Sequence, residues 1–247
     1  MAASRKALRT LMRGLLHALY PGLCGACGKS LELDQQGFCD PCRSFLTNDP
    51  YASCPRCAGT IGPFVHVEAG CPACLQSSFH FERAVRLGPY DGLLRDLVLR
   101  LKHAAGEQLA ELTGDLMAAH LGAQLRDLKA DVVIPVPLHW WRRWNRGYNQ
   151  SESLGRGIAR YLGLPIRPSW LRRIRHTPQQ TRQSPSGRKA NVRGAFRARR
   201  SATLRGQTVL LIDDVLTTGS TCSEAARALR EAGASRIVVA VLAHSVG

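Results

Sequence analysis

The stretch TVLLIDDVLTTGST, residues 208–221, joins a strand pattern to a polar loop. The apolar run at 209–212 predicts a strand that is covered on both faces, as in a parallel sheet. Two adjacent carboxylates, Asp213 and Asp214, follow it, and small hydroxylated residues surround the next glycine. Ligands of open parallel sheets bind beyond the carboxyl ends of the strands. The stretch therefore predicts a ligand site at the edge of an α/β sheet.

The hydroxylated run precedes a predicted helix, whose free N–H groups and dipole favour an anion. We take this run as a phosphate cradle formed by Thr217, Thr218, Gly219, Ser220 and Thr221. Carboxylates beside such a cradle could bind sugar hydroxyls or a metal on the same ligand. A ribose 5-phosphate therefore fits both the carboxylates and the cradle. A P-loop would need a lysine before its Ser/Thr, and no G-x-G-x-x-G follows a strand. A simple helix cap would need only one such residue.

Apolar patterns on both sides of this stretch extend the α/β prediction. We predict strands at 82–90, 130–137, 208–213 and 236–243, and helices at 92–105, 107–124, 150–162 and 222–232. Helices that alternate with continuously apolar strands indicate a parallel sheet flanked by helices. The polar segment at 175–194 has no hydrophobic period and predicts a mobile loop.

Eight of the nine cysteines lie in four C-x-x-C pairs within the first third of the chain. The pairs are Cys24/Cys27, Cys39/Cys42, Cys54/Cys57 and Cys71/Cys74. Two such pairs complete a tetrahedral Cys₄ site, so sequential pairing predicts up to two structural zinc ions. Spacing alone leaves open an interleaved arrangement or a single occupied site. A disulfide framework is typical of small secreted chains instead. We expect His66 at the surface rather than among the ligands, and we assign Cys222 no role.

The cysteine pattern ends near residue 80, which predicts two domains. Residues 1–80 would form a double zinc-ribbon module with an N-terminal basic amphipathic helix, and residues 81–247 the α/β domain. The segment 8–20 contains Arg9 and Arg13, which a signal-peptide core tolerates poorly. The sequence has no run of about 18 uncharged apolar residues, so no transmembrane segment is predicted. We expect a cytoplasmic protein.

The formal net charge is +16, and most of it lies in one part of the sequence. Residues 140–200 hold 16 Lys and Arg against one acid, Glu152, a net of +15 that leaves +1 for the rest of the chain. Such a concentration indicates a polyanionic partner. The alternative is an Arg-rich solvated surface that only confers solubility.

The segment HWWRRWNRGYNQ, residues 139–150, interleaves aromatic and basic residues. Flat side chains stack on exposed bases while guanidinium groups pair with phosphates, so the pattern favours single-stranded nucleic acid. The candidates are Trp140, Trp141, Arg142, Arg143 and Trp144, together with Arg172, Arg173 and Arg175. Some of these tryptophans are expected to pack in the core instead. Arg146, Asn149 and Gln150 follow a strand end closely and are also placed to serve a pyrophosphate.

VLLIDDVLTTGST resembles the phosphoribosyl pyrophosphate motif of type I phosphoribosyltransferases. The chain as a whole, through LYPGLCGACG, PVPLHWWRRWNRGYNQSESL and RHTPQQTRQSPSGRKANVRGAF, resembles the ComF/GntX family, whose DNA-uptake members act in competence. The resemblance covers the chain nearly end to end. It implies a phosphoribosyltransferase-like sheet behind the zinc module.

By this resemblance, Asp213 and Asp214 hold the ribose hydroxyls and residues 217–221 the 5-phosphate, with Mg²⁺ bridging pyrophosphate and ribose. The turn Pro135, Val136 and Pro137 takes the place of a pyrophosphate loop, and residues 176–194 that of a catalytic flap. No base-binding hood is recognisable, so neither the acceptor nor a catalytic residue is identified.

Three functions fit the sequence. The first is a protein of DNA uptake, natural transformation or recombination that binds single-stranded DNA and competence or helicase proteins. The second is an active phosphoribosyltransferase on a small acceptor, and the third a non-catalytic phosphosugar sensor. The charge concentration favours the first, while the intact acidic pair and cradle keep the second open.

Overall fold

The computed structural model describes residues 21–62, 67, 70–75, 77–175, 192–200 and 202–245. The predicted N-terminal amphipathic helix, His66 and residues 176–191 of the predicted flap lie outside the described residues. The chain divides into two compact units, residues 1–46 and 47–247. Within the described residues, no helix combines the length and the hydrophobicity needed to cross a membrane.

The first unit is organised around two cysteine turns. An antiparallel bridge joins Leu23 to Ser30 around the first turn, and Gly28 adopts a φ of 74° directly after it. Glycine suits this left-handed conformation because it has no Cβ to clash. Helix α1, Asp40–Thr47, carries Cys42 and buries Leu46.

The second unit contains a four-stranded parallel sheet in the order β1-β6-β5-β2. The strands are β1 Arg83–Pro89, β2 Val132–Pro135, β5 Thr208–Leu216 and β6 Arg236–His244, and the short strands β3 Leu171–Arg173 and β4 Phe196–Ala198 pair separately as an antiparallel hairpin. Every residue of β2 is buried, as expected for a sheet that is covered on both faces. The predicted parallel α/β fold is thus confirmed.

Helices flank this sheet along the chain. They are α2 Pro72–Leu75, α3 Gly92–Arg100, α4 Glu107–His120, α5 Gly122–Asp127, α6 Trp140–Arg146, α7 Gln150–Leu162 and α8 Ser220–Glu231. Helices α4 and α7 approach closely because two glycines face the partner helix: a Cβ on Gly114 would lie 2.4 Å from the carbonyl oxygen of Leu154, and one on Gly157 2.6 Å from the amide nitrogen of Asp115. This contact holds the middle of α7 against α4.

Several predicted boundaries were wrong. The helix predicted at 92–105 ends at Arg100, and the strand predicted at 130–137 spans only Val132–Pro135. The strand predicted at 208–213 continues to Leu216, because it keeps pairing with β6 up to His244. The acidic pair therefore lies inside β5 and not beyond its end. The helix predicted from residue 222 begins at Ser220, and the one predicted at 107–124 is interrupted at Leu121.

Candidate functional site

Asp213 and Asp214 lie side by side near the carboxyl end of β5, and each is only 8% exposed. Asp213 Oδ1 accepts hydrogen bonds from Ser151 Oγ (3.1 Å) and from the Asp214 amide (3.0 Å). Burial and the adjacent Asp214 charge nevertheless raise the pKa of Asp213 to about 7. A carboxyl group that ionises at such a cost is suited to receive hydroxyl donors or a cation.

Asp214 is linked to two neighbouring helices. Gln150 Nε2, at the start of α7, donates to Asp214 Oδ2 over 3.4 Å, and Lys102 Nζ, just after α3, lies 3.7 Å from the same oxygen. Arg146 donates in turn to Gln150 Oε1. The sequence analysis did not predict Lys102 as a site residue, because a lysine at the end of a helix commonly does no more than interact with the helix dipole.

The predicted phosphate cradle forms the start of α8. The N-cap residue is Gly219, which has no side chain that could cap the helix and adopts a φ of 71°. Thr217, Thr218, Ser220 and Thr221 are half-buried around it, and the hydroxyls of Thr218 and Ser220 lie 2.9 Å apart. A helix start without a side-chain cap leaves N–H groups for an anion, so the cradle fits a phosphate.

The predicted pyrophosphate loop lies beside this edge. Pro135 ends β2 opposite Ile212, and the Val136 amide donates to the Ile212 carbonyl over 2.8 Å. Asn149 Nδ2 donates to the Val136 carbonyl (3.1 Å), while its buried Oδ1 accepts no hydrogen bond from any described residue. A buried acceptor without a donor is unfavourable, which fits a site completed by a ligand.

Three arginines crowd the same edge. Burial and the neighbouring Arg146 lower the pKa of Arg142. Burial and the neighbouring Arg142 likewise lower the pKa of Arg173, and the charge of Asp213 offsets only part of this effect. Burial also lowers the pKa of Arg146, against the effect of Asp214. Guanidinium groups that disfavour each other's charge suit a polyanion such as a pyrophosphate. Of the arginines predicted to contact nucleic acid, Arg173 thus also interacts with the charge of Asp213.

All three tryptophans of the aromatic and basic segment are exposed. Trp140, Trp141 and Trp144 lie on α6 with exposures of 67%, 51% and 83%, and α6 buries no residue. The expectation that some of them pack in the core was wrong. Tyr148, after the helix, is buried instead and donates from its hydroxyl to the Leu101 carbonyl.

The basic excess of residues 140–200 is partly neutralised. Arg160 pairs with Glu111 (2.7 Å) and Asp115 (3.1 Å), and Arg156 with Glu107 (3.5 Å), acids that precede this segment in the chain. The β3–β4 hairpin differs, because its exposed Arg172 and Arg197 lie opposite each other as direct cross-strand partners. Like charges opposite each other are unfavourable without an anion.

The eight paired cysteines form two groups of four, each with its sulfurs within 4.8 Å of one another. The groups are Cys24, Cys27, Cys39 and Cys42, and Cys54, Cys57, Cys71 and Cys74. This is the sequential pairing, not the interleaved one. In both groups the third cysteine donates its amide to the first sulfur, over 3.4 Å to Cys24 and 3.3 Å to Cys54.

These sulfurs are chemically suited to a zinc ion. Burial raises the pKa of Cys24, but backbone hydrogen bonds outweigh this effect and lower it to about 6. The same balance lowers the pKa of Cys54 to about 7. Burial and the neighbouring thiols raise the pKa of Cys42, Cys57 and Cys74 instead. Each group thus has one readily ionised thiol, and a bound cation would favour the thiolate form of the others. A Cys₄-bound zinc would have no open position for a substrate.

The second cysteine group belongs to the same compact unit as the sheet. Ala58, directly after Cys57, is fully buried in the core cluster that includes β5 and β6 residues. Arg86 of β1 donates to Thr60 Oγ1 (2.8 Å) and pairs with Asp49 (2.9 Å). The predicted boundary near residue 80 between a zinc-ribbon module and the α/β domain stays a prediction.

Comparisons with known proteins agree with this architecture. Residues 149–245 match the model of the phosphoribosyl transferase domain. The chain is 32% identical over 233 residues to the DNA utilization protein YhgH of Salmonella typhimurium, covering 92% of this chain and 98% of that protein. It is 31% identical over 228 residues to competence protein F of Haemophilus influenzae, covering 90% and 96%.

Among solved structures, the glutamine phosphoribosylpyrophosphate amidotransferase from B. subtilis is similar at 26% identity and a TM-score of 0.32, over 51% of this chain and 26% of that chain. The similarity to these two relatives over almost their whole length and the domain match together establish the family of this chain. The chain belongs to the ComF/GntX family, together with competence protein F and the DNA utilization protein YhgH.

Proposed function

We propose that this protein binds Mg²⁺–phosphoribosyl pyrophosphate at the carboxyl edge of its sheet and single-stranded DNA on the adjoining basic surface. Its role would be in DNA uptake or recombination, in line with the names of its relatives. The observation that carries the proposal is a buried acidic pair, Asp213 and Asp214, beside a helix start without a side-chain cap. A protein that only bound DNA would need neither feature.

The bound ligand would supply ribose hydroxyls, a 5-phosphate and a pyrophosphate whose charge Mg²⁺ offsets. Asp213 and Asp214 accept hydrogen bonds from the hydroxyls, and the N–H groups at 217–221 donate to the 5-phosphate. Arg146 and the Pro135–Pro137 turn would contact the pyrophosphate. Ser151 and Gln150 keep the two carboxyl groups oriented through their hydrogen bonds.

The DNA surface would combine α6 with the β3–β4 hairpin. Trp144 and its two aromatic neighbours on α6 offer exposed rings for base stacking, and Arg172 and Arg197 offer paired positive charges for phosphates. The repulsion between Arg142 and Arg173 indicates that α6 and β3 are close to each other. Both ligands would therefore meet at one edge of the sheet.

A salt titration with a fluorescent single-stranded oligonucleotide tests this surface. We expect affinity to fall with salt at a slope of about −0.7 per phosphate contacted. The double variant Arg172→Gln/Arg197→Gln should flatten the slope. The double variant Arg156→Gln/Arg160→Gln loses the same charge from arginines that already pair with acids, and its slope should stay as in the wild type. Salt-independent affinity, or equal slopes for both variants, would show that these arginines form an ordinary solvated surface and do not bind DNA.

Phosphoribosyl transfer is the second candidate. It is favoured by Arg146 and Arg173, whose charges interact with Asp214 and Asp213 and could neutralise a leaving pyrophosphate. The test is pyrophosphate release from Mg²⁺–phosphoribosyl pyrophosphate in the presence of free bases or oligonucleotides. Release above the control without acceptor supports an enzyme. Binding without such release supports a phosphosugar sensor.

A further inference from the structure

Phe79 connects the second cysteine group to the phosphate cradle. Its half-buried ring packs against the four buried cysteines Cys54, Cys57, Cys71 and Cys74, and it stacks on Phe81 with a centroid distance of 4.6 Å. The ring also packs against the core cluster of the sheet and lies next to Gly219. A Cβ built on Gly219 would lie 2.6 Å from Phe79 Cε1, closer than side-chain contacts allow. The left-handed glycine of the cradle thus rests directly on this ring.

His80 adds a second connection to the same helix. Its amide donates to Ser223 Oγ over 3.1 Å, and its Nδ1 lies 3.1 Å from that hydroxyl. Arg230 Nε, in the last turn of α8, donates to the His80 carbonyl over 2.7 Å. Phe79 and His80, the fifth and sixth residues after Cys74, therefore contact the cradle loop and both ends of the helix behind it.

We propose that the metal-bound second cysteine group positions the phosphate cradle through Phe79 and His80, so that metal at this site sets the affinity for the phosphosugar. The proposal rests on the proposed function for its ligand, but the contact itself exists without one. Zinc would fix the chain up to Cys74, and the next residues would transmit this order to residues 217–223. A preordered cradle binds more tightly because ordering a loop costs free energy at binding.

Hydrogen exchange of the zinc-loaded full chain without phosphosugar tests the contact. Phe79→Ala should speed the exchange of amides at 217–223 by about tenfold or more, since the loop loses its packing partner. Phe79→Leu keeps an apolar contact and should restore most of the protection. Leu75→Ala is the matched control, because Leu75 follows Cys74 directly but is 58% exposed. Equal exchange in Phe79→Ala and the wild type would overturn the proposal.

Calorimetry with Mg²⁺–phosphoribosyl pyrophosphate tests the consequence in a double-mutant cycle. Phe79→Ala should weaken binding by about tenfold, which corresponds to the entropic cost of ordering roughly one residue when the ligand binds. Gly219→Ala should weaken it in the wild type by steric clash and backbone strain, but less in the Phe79→Ala background, where the clash is gone. Strictly additive effects would show that the ring does not position the loop.

Metal removal provides the last comparison. A chelator should speed the exchange at 217–223 in the wild type and do so less in Phe79→Ala, where only the connection through His80 remains to be lost. An equal chelator effect in both proteins would overturn transmission through Phe79. If the wild type bound no phosphosugar at all, the proposed function would fail, while the exchange data would still decide whether the contact orders the cradle.

Discussion

Asp213 carries a carboxyl group that the fold keeps away from water and next to a second acid. Burial and the charge of Asp214 raise its pKa from 3.8 to about 7, so folding takes up a proton between these values. Stability from this group is then greatest at low pH and declines as pH rises towards 7. Ser151 and the Asp214 amide offset only part of the cost. The site thus holds strain that a bound cation or hydroxyl donor would relieve.

Asp213→Asn removes the buried charge and should therefore stabilise the ligand-free protein, more at pH 8 than at pH 5. One pKa unit corresponds to about 1.4 kcal/mol and each kcal/mol to about 2–4 °C at this chain length, so several degrees are expected at pH 8. Thermal unfolding followed across this range measures the difference. Asp96→Asn, at an exposed carboxylate, is the control and should show no such trend. A variant that is less stable than the wild type at pH 8 would contradict the account of Asp213.

At the scale of elements, α6 stands out because it exposes three tryptophans while burying no residue. Its N-cap His139 accepts from the Trp141 amide (3.4 Å), and Gly147 ends it in a left-handed conformation with a φ of 83°. The helix therefore begins and ends by local signals and presents its rings to the exterior. Such an element suits a flat, stacking ligand better than a role in the core.

Trp144→Ala should lower the affinity for single-stranded DNA at every salt concentration with little change in slope, because stacking releases no counterions. The loss of about 1–3 kcal/mol per stacked base corresponds to roughly 5–150-fold. Tyr51→Ala, which removes a similarly exposed ring outside α6, serves as the control. Oligonucleotide titrations at several salt concentrations measure both. Equal affinities for Trp144→Ala and the wild type would exclude stacking by this ring.

Most regular elements could be predicted, either from an uninterrupted apolar run, as in β2, or from buried residues at helical spacing, as in α3. Helix α6 could not, since a helix without a buried face has no apolar period. The pairing of Arg156 and Arg160 with acids of α4 was equally hidden, because the partners lie more than one element away in the sequence. The acidic pair and cradle were visible because one short segment holds both, whereas Lys102 reaches Asp214 only through the fold.

At the scale of the whole molecule, the two cysteine groups belong to different compact units. The first lies in residues 1–46 and the second in residues 47–247 with the sheet. The similar turns and the repeated amide-to-sulfur hydrogen bond show that they use the same local design. Their consequences for the sheet should nevertheless differ, since only the second shares its unit with the candidate site.

Cys24→Ser/Cys27→Ser should leave the affinity for Mg²⁺–phosphoribosyl pyrophosphate within about twofold of the wild type, because the sheet unit keeps its own contacts. Cys54→Ser/Cys57→Ser should weaken it and lower the unfolding temperature of the sheet unit, since a structural metal site contributes directly to folding. Calorimetry and thermal unfolding, with zinc content measured for each variant, check both. Loss of phosphosugar binding in the first variant would show that the units are not separable in this sense.

Calorimetry of the purified protein with Mg²⁺–phosphoribosyl pyrophosphate shows whether the edge of the sheet around β5 is a phosphosugar site. We expect saturable binding by the wild type, and no measurable binding by Asp213→Ala/Asp214→Ala at unchanged circular dichroism. Unchanged affinity in the double variant, or no binding by the wild type, would contradict this assignment.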